Sequence, residues 1–133
     1  MSRSHFLEAL LKAASAGQRL VNERTGAVVA SELELASDSR ARNRGLLGRS
    51  GIADGAVMII APCNAIHTFF MRMAIDVAFL DAEGVVLRQV GALPPWRATP
   101  VQRGARSVLE LPAGTLQASG TREGDCLRFE PTR

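Results

Sequence analysis

The stretch AIDVAFLDAEGVVLRQV, residues 74–90, decides the fold. Residues 74–81 are rich in β-branched and aromatic side chains that suit a pleated, half-buried surface, and residues 85–90 repeat that composition. Between them, residues 82–84 end in Gly84, a residue that enters the tight backbone angles of a hairpin turn at little cost. The reading is a strand, a tight turn and a returning strand.

Outward from this hairpin the pattern continues as short sheet elements. Downstream, SVLELP (107–112) alternates as a strand, residues 113–119 suit a short helix, and Gly124-Asp125 turns the chain into a last strand at 126–130. Upstream, AVMIIA (56–61) is an apolar run of strand length stopped by Pro62. Residues 27–37 alternate Leu33 and Leu35 with Glu32 and Glu34, the period of a strand with one wet face. Two further helices are expected. One covers residues 4–16, capped by Ser4, carrying Phe6, Leu7, Leu10 and Leu11 at helical spacing and stopped by Gly17. The other covers 39–50 behind Asp38, with Arg40 and Arg44 one turn apart. Residues 93–104 hold Pro94, Pro95, Pro100 and the only tryptophan, Trp96, and are expected to form a stiff loop, a common seat of function. The fold class expected is α+β: a compact, mostly antiparallel sheet or partly closed small barrel with short flanking helices. It forms a single domain over residues 1–133, with residues 1–17 as a helical extension.

The bulk properties fit that picture. With 133 residues the chain can bury a proper core, and 47% hydrophobic and 22% charged residues are ordinary globular usage. Two cysteines, Cys63 and Cys126, are too few for a disulfide framework. No stretch approaches the roughly 20 apolar residues that span a bilayer, and no cleavage signal follows the N-terminal apolar patch. A soluble, cytoplasmic protein with no membrane partner is expected. The net charge is +3 and the pI about 9.6, but arginines and acids interleave along the chain. Charge dispersed in this way counts against a nucleic-acid partner, which usually meets its cations on one face.

Several motifs together resemble one family. They are Arg44-Gly45-Leu46-Leu47, with Leu47 where Met is usual; the segment from His67 through Thr68, Phe69, Phe70 and Met71 to Arg72; Ile75-Asp76-Val77; and Leu109-Glu110-Leu111-Pro112-Ala113-Gly114. Over residues 22–129 the chain resembles the bacterial and archaeal domain-of-unknown-function family one-nine-two, in the subgroup that carries Cys and His where other members have aromatic residues. The resemblance implies a compact sheet-rich fold with short helices and brings no established activity. Members often carry signal or lipoprotein segments, and none is read here.

The candidate site residues follow from chemistry. Cys63 and His67, four apart, are the raw material of a thiolate nucleophile and its base, provided the backbone curls. In an extended strand they would stand about 13 Å apart. The bland alternative is a packed thiol and a hydrogen-bonded imidazole. Asp76 and Glu110 are acids flanked by apolar residues in expected strands. Either they face water or, buried, they need cationic partners, for which Arg44 and Arg72 are the candidates. With Thr68 and Trp96, these residues make up a candidate ligand site of the 63–72 segment and the 94–106 loop. No metal-ligand set and no nucleotide or protease motif is found, so no metal or cofactor is expected. Met58, Met71 and Met73, close to Phe69 and Phe70, read as core filling. The expected function is a binding or accessory module with a polar pocket for a small anionic or polar molecule. The alternatives are a small enzyme using the Cys63–His67 pair and a protein-interaction module.

Overall fold

The structure, a computed structural model, describes residues 17–36 and 51–132. Among these residues there are eight strands and one helix of a single turn. The strands are β1 (Gln18–Asn22), β2 (Val28–Ala30), β3 (Glu32–Ala36), β4 (Ala56–Ile60), β5 (Ile75–Leu80), β6 (Val86–Leu93), β7 (Ser107–Pro112) and β8 (Leu127–Pro131), and the helix is α1 (Thr115–Ala118). The strands form two sheets, a three-stranded one in the order β2-β1-β8 and a five-stranded one in the order β3-β4-β7-β5-β6. Only β3 and β4 pair in parallel.

This corrects the expected fold class. The described residues are nearly all sheet, with no closed barrel, rather than α+β with several flanking helices. The two helices expected at 4–16 and 39–50 lie outside the described residues. The physical reason is what covers the large sheet. All six residues of β5 are buried, so both faces of the sheet are dry along that strand. On one face Ala78, Leu80, Leu109 and Leu111 pack against Leu20, Val29 and Leu127 of the small sheet. On the other, Ile75, Val77, Phe79, Met58 and Val108 are covered by Met71, Met73, Ile66 and Ile52 from connecting segments. A second sheet and ordered loops thus do what helices do in an α+β protein. Burying each large apolar side chain contributes about 1.5–3 kcal/mol.

The hairpin of β5 and β6 forms as read, with Gly84 at φ 87° in its turn. The expected strand over 27–37 is two strands. It breaks at Ser31, whose N–H, with that of Glu32, donates to the Gly55 carbonyl, so β2 joins the small sheet and β3 the large one. β1 was not expected, because QRLVN shows neither clean alternation nor an apolar run. Its polar Asn22, fully buried, is satisfied by donating to Thr121 Oγ1 at 3.2 Å and to Asp125 Oδ2 at 2.9 Å. Met58 and Met71 fill the core as expected, whereas Phe69 and Phe70 do not.

Candidate functional site: a ribbon of two paired loops

The loops that follow β4 and β6 meet along their length. Gln102 donates its N–H to the Asn64 carbonyl at 2.8 Å, Thr99 to Ile66 at 2.9 Å, and Thr68 to Arg97 at 2.7 Å, with His67 and Ala98 in an isolated bridge. The result is an irregular ribbon about 13 Å long, by the usual rise over the four steps from Asn64 to Thr68. Thr68, fully buried, locks its far end. Its hydroxyl donates to the Pro94 carbonyl at 2.7 Å and accepts the Arg97 N–H at 2.9 Å. Its carbonyl accepts the N–H groups of Trp96 at 3.0 Å and Met71 at 3.2 Å.

This lock holds four rings at the surface. His67 stacks on Phe69 with ring centroids 4.8 Å apart, Phe69 lies 6.0 Å from Trp96 at 30°, and Phe70 lies 4.6 Å from Trp96 at 59°. Phe70 is 67% exposed and Trp96 56%. Both have left-handed backbones, at φ 68° and 65°, which costs a non-glycine residue on the order of 1 kcal/mol or more.

The same loops carry Arg72, Arg97, Arg103 and Arg106, all exposed, and no acid occurs anywhere in 61–75 or 91–109. Dispersed as the charges are along the whole sequence, these two loops themselves carry arginines and no acid. The Arg97 guanidinium lies back along its own loop, its Nη1 donating to the carbonyls of Pro95 at 3.4 Å and Trp96 at 3.5 Å.

The structure distributes the remaining candidates. Cys63 is half-buried against the Met71 and Ile75 side of the core, and its thiol donates to the Ala65 carbonyl at 3.1 Å. His67 is exposed, and its Nδ1 accepts the Phe69 N–H at 3.2 Å. Asp76 and Glu110 are each 1% exposed, so neither faces water. They point to opposite faces of the large sheet. Asp76 pairs in register with Leu111 on the small-sheet side, Glu110 with Val77 and Met58 on the other. Asp76 instead gathers backbone donors, accepting the N–H groups of Ala92 at 2.8 Å, Gly114 at 3.1 Å and Leu116 at 2.9 Å. It caps α1 and fastens the end of β6 to it. Arg44 lies outside the described residues.

The sequence reading put the candidate site on these two loops without naming Arg97, Phe69 or Phe70 as members of it. The available signal was the absence of acids from both loops. Two surface clefts lie elsewhere, one along Glu32, Glu34 and Ile52, the other around Asp76, Gln89, Gly114 and Thr121. No three of the described His, Cys, Asp and Glu residues converge as a metal site, and no described helix is long and apolar enough to cross a membrane.

Comparison with known proteins gives the same fold. A solved protein of Sinorhizobium meliloti, named a "putative transcription regulator", superposes with a TM-score of 0.73 at 24% identity, covering 84% of this chain and 91% of that one. A Novosphingobium aromaticivorans protein of unknown function gives 0.72 at 21% identity, covering 84% and 82%. At these identities the likeness shows the fold. In sequence, the chain is similar to a protein of Thermococcus gammatolerans called UPF0127, 31% identical over 85% of this chain and 76% of that protein. It is also similar to a Pyrococcus abyssi UPF0127 protein, 32% identical over 80% and 92%. The model of the DUF192 family, described as "Uncharacterized ACR", matches residues 20–129, and the chain belongs to that family.

Proposed function

We propose that this protein is a binding module that holds a small anionic or polar ligand on the surface of the paired loops. The observation that supports this most is the Thr68 lock. A fully buried hydroxyl and its backbone fix two loops so that Phe70 and Trp96 stay exposed in left-handed conformations. Strain of this kind persists where the surroundings over-determine it, and it concentrates at ligand sites. Packing alone gives no reason for it, because burying the rings is where folding would gain. The exposed arginines supply donors in planar forks suited to carboxylate or phosphate, and no neighbouring acid in either loop competes for them.

The test is calorimetric titration of inorganic pyrophosphate into the wild type and an Arg72→Glu/Arg97→Glu double variant. Saturable binding that falls at least about tenfold in the variant, a loss of about 1.4 kcal/mol, is expected. No binding to the wild type, or equal binding to both proteins, would overturn the reading.

A further inference from the structure

We propose that the ligand of the ribbon is a nucleobase-bearing phosphate, met either as a free nucleotide or as a short single strand. This rests on the binding reading above and names its ligand class.

Four observations lead to it. The first is the rings. His67, Phe69 and Trp96 stack in turn, Phe70 lies tilted against Trp96, and all four rings belong to exposed residues. Every nucleobase has a flat face that such a platform can cover, and a stacked base contributes about 1–3 kcal/mol. The second is the placement of charge next to the residues that carry those rings. Arg97 directly follows Trp96, and its guanidinium lies along the backbone carbonyls of Pro95 and Trp96, so a phosphate donor belongs to the same short stretch of loop as a ring a base would cover. Arg72 follows Phe70 by two residues. All four cations are arginines, which bind phosphate in a fork and also stack on flat rings.

The third is extent. Arg103 and Arg106 lie at the Asn64–Gln102 end of the ribbon, and Arg97 with the rings lies at the Thr68 end. Cations at both ends of a ribbon about 13 Å long exceed what one phosphate needs, and they suit a ligand with charge at more than one place. The fourth is the kind of apolar surface. Of the exposed large apolar residues on the two loops, Phe69, Phe70 and Trp96 are aromatic and Val101 alone is aliphatic. A lipid surface would be entered by splayed apolar tips, whereas here the rings contact one another.

The chain has one tryptophan and no tyrosine, so its intrinsic fluorescence reports Trp96 alone. The full chain is titrated at low salt with adenosine monophosphate, with an oligothymidylate, with inorganic pyrophosphate followed by calorimetry, and with phosphatidylcholine vesicles containing phosphatidylserine. Saturable quenching by the nucleotide or the oligonucleotide is expected. It should weaken about tenfold in Arg97→Glu, fall with added salt, and weaken by a similar factor in Phe70→Gly, a change that removes a ring while relieving its backbone strain. Equal affinity for the two ligands assigns a free nucleotide, and much tighter oligonucleotide binding assigns a strand. If neither quenches while pyrophosphate still binds, the nucleobase inference is overturned and the anion-binding reading stands. If pyrophosphate also fails, both fall. A blue-shifted, brighter Trp96 emission with vesicles alone overturns the inference in favour of a membrane surface.

Discussion

Replacing Thr68 with valine removes one hydroxyl and leaves the shape of the side chain nearly unchanged, so it isolates the lock between the two loops. The hydroxyl donates to Pro94 O and accepts from Arg97 N–H, both at hydrogen-bond distances under 3 Å. Each such bond contributes about 0.5–1.5 kcal/mol net, so losing both costs about 2 kcal/mol. The full penalty for stranding a buried group does not apply, because Pro94 and Arg97 are exposed residues and water reaches the freed backbone. For a chain of this size the loss lowers the unfolding midpoint by roughly 5–8 °C. Urea unfolding measures the energy, and amide exchange at Trp96 and Arg97 shows where it was lost. Thr68→Ser is the control. It forfeits a buried methyl, worth about 1 kcal/mol, yet keeps the hydroxyl and with it the slow exchange at Arg97. An unchanged midpoint in Thr68→Val, or equal exchange at Arg97 in the valine and serine variants, would refute the role given to Thr68.

Other expectations concern the scaffold. Asp76→Ala removes three backbone hydrogen bonds to a carboxylate that is 1% exposed, leaves the N–H of buried Leu116 without its acceptor, and should cost about 3 kcal/mol; a loss under about 1 kcal/mol by denaturant titration would show that those donors find other partners. At Phe70 the left-handed backbone favours glycine, so Phe70→Gly should be more stable than Phe70→Ala by about 1 kcal/mol, the reverse of the usual order; the usual order in urea would mean that the turn is unstrained. Asp125 is held well below the usual carboxylate range, chiefly by its hydrogen bond from Arg24, against the opposing effect of burial and with help from Asn22 and the Arg122 N–H. A lowered folded pKa means that its contribution is complete at neutral pH and is lost as pH falls from about 4 towards the folded value. Asp125→Asn should therefore be less stable at neutral pH and show a shallower loss on acidification; parallel pH profiles would contradict this.

How much of this was legible in the sequence depends on the kind of signal. The β5–β6 hairpin was readable because strand composition and a turn glycine agree locally. β4, β7 and β8 were readable for the same reason. β1 was not, because its stability comes from Asn22 and its contacts with Thr121 and Asp125, about 100 residues away. Among the described residues the α+β expectation misled because nothing local says whether an apolar sheet face will be covered by a helix or by loops such as the one ending in Met71 and Met73. The site was half legible. Thr68, Arg72 and Trp96 lie on the two loops that meet, but the pairing runs through side-chain and irregular backbone bonds that have no periodicity to read. Phe69 and Phe70 stand beside three methionines that read as core filling, and nothing local in the sequence announces the positive φ at Phe70 or the exposure of its ring. Asp76 and Glu110 looked like one constellation, yet the sheet pleat sends them to opposite faces.

The most direct measurement of the proposed binding site is a nitrogen-edited NMR titration of the uniformly labelled chain with inorganic pyrophosphate, the simplest anion the ribbon should take. Saturating shifts concentrated at the amides of Phe69, Phe70, Trp96 and Arg97, and absent from the Arg72→Glu/Arg97→Glu variant, are the expected result. Shifts centred on Glu32 and Ile52, or around Asp76 and Gly114, with the loop amides unmoved, would contradict the assignment of the site to the paired loops.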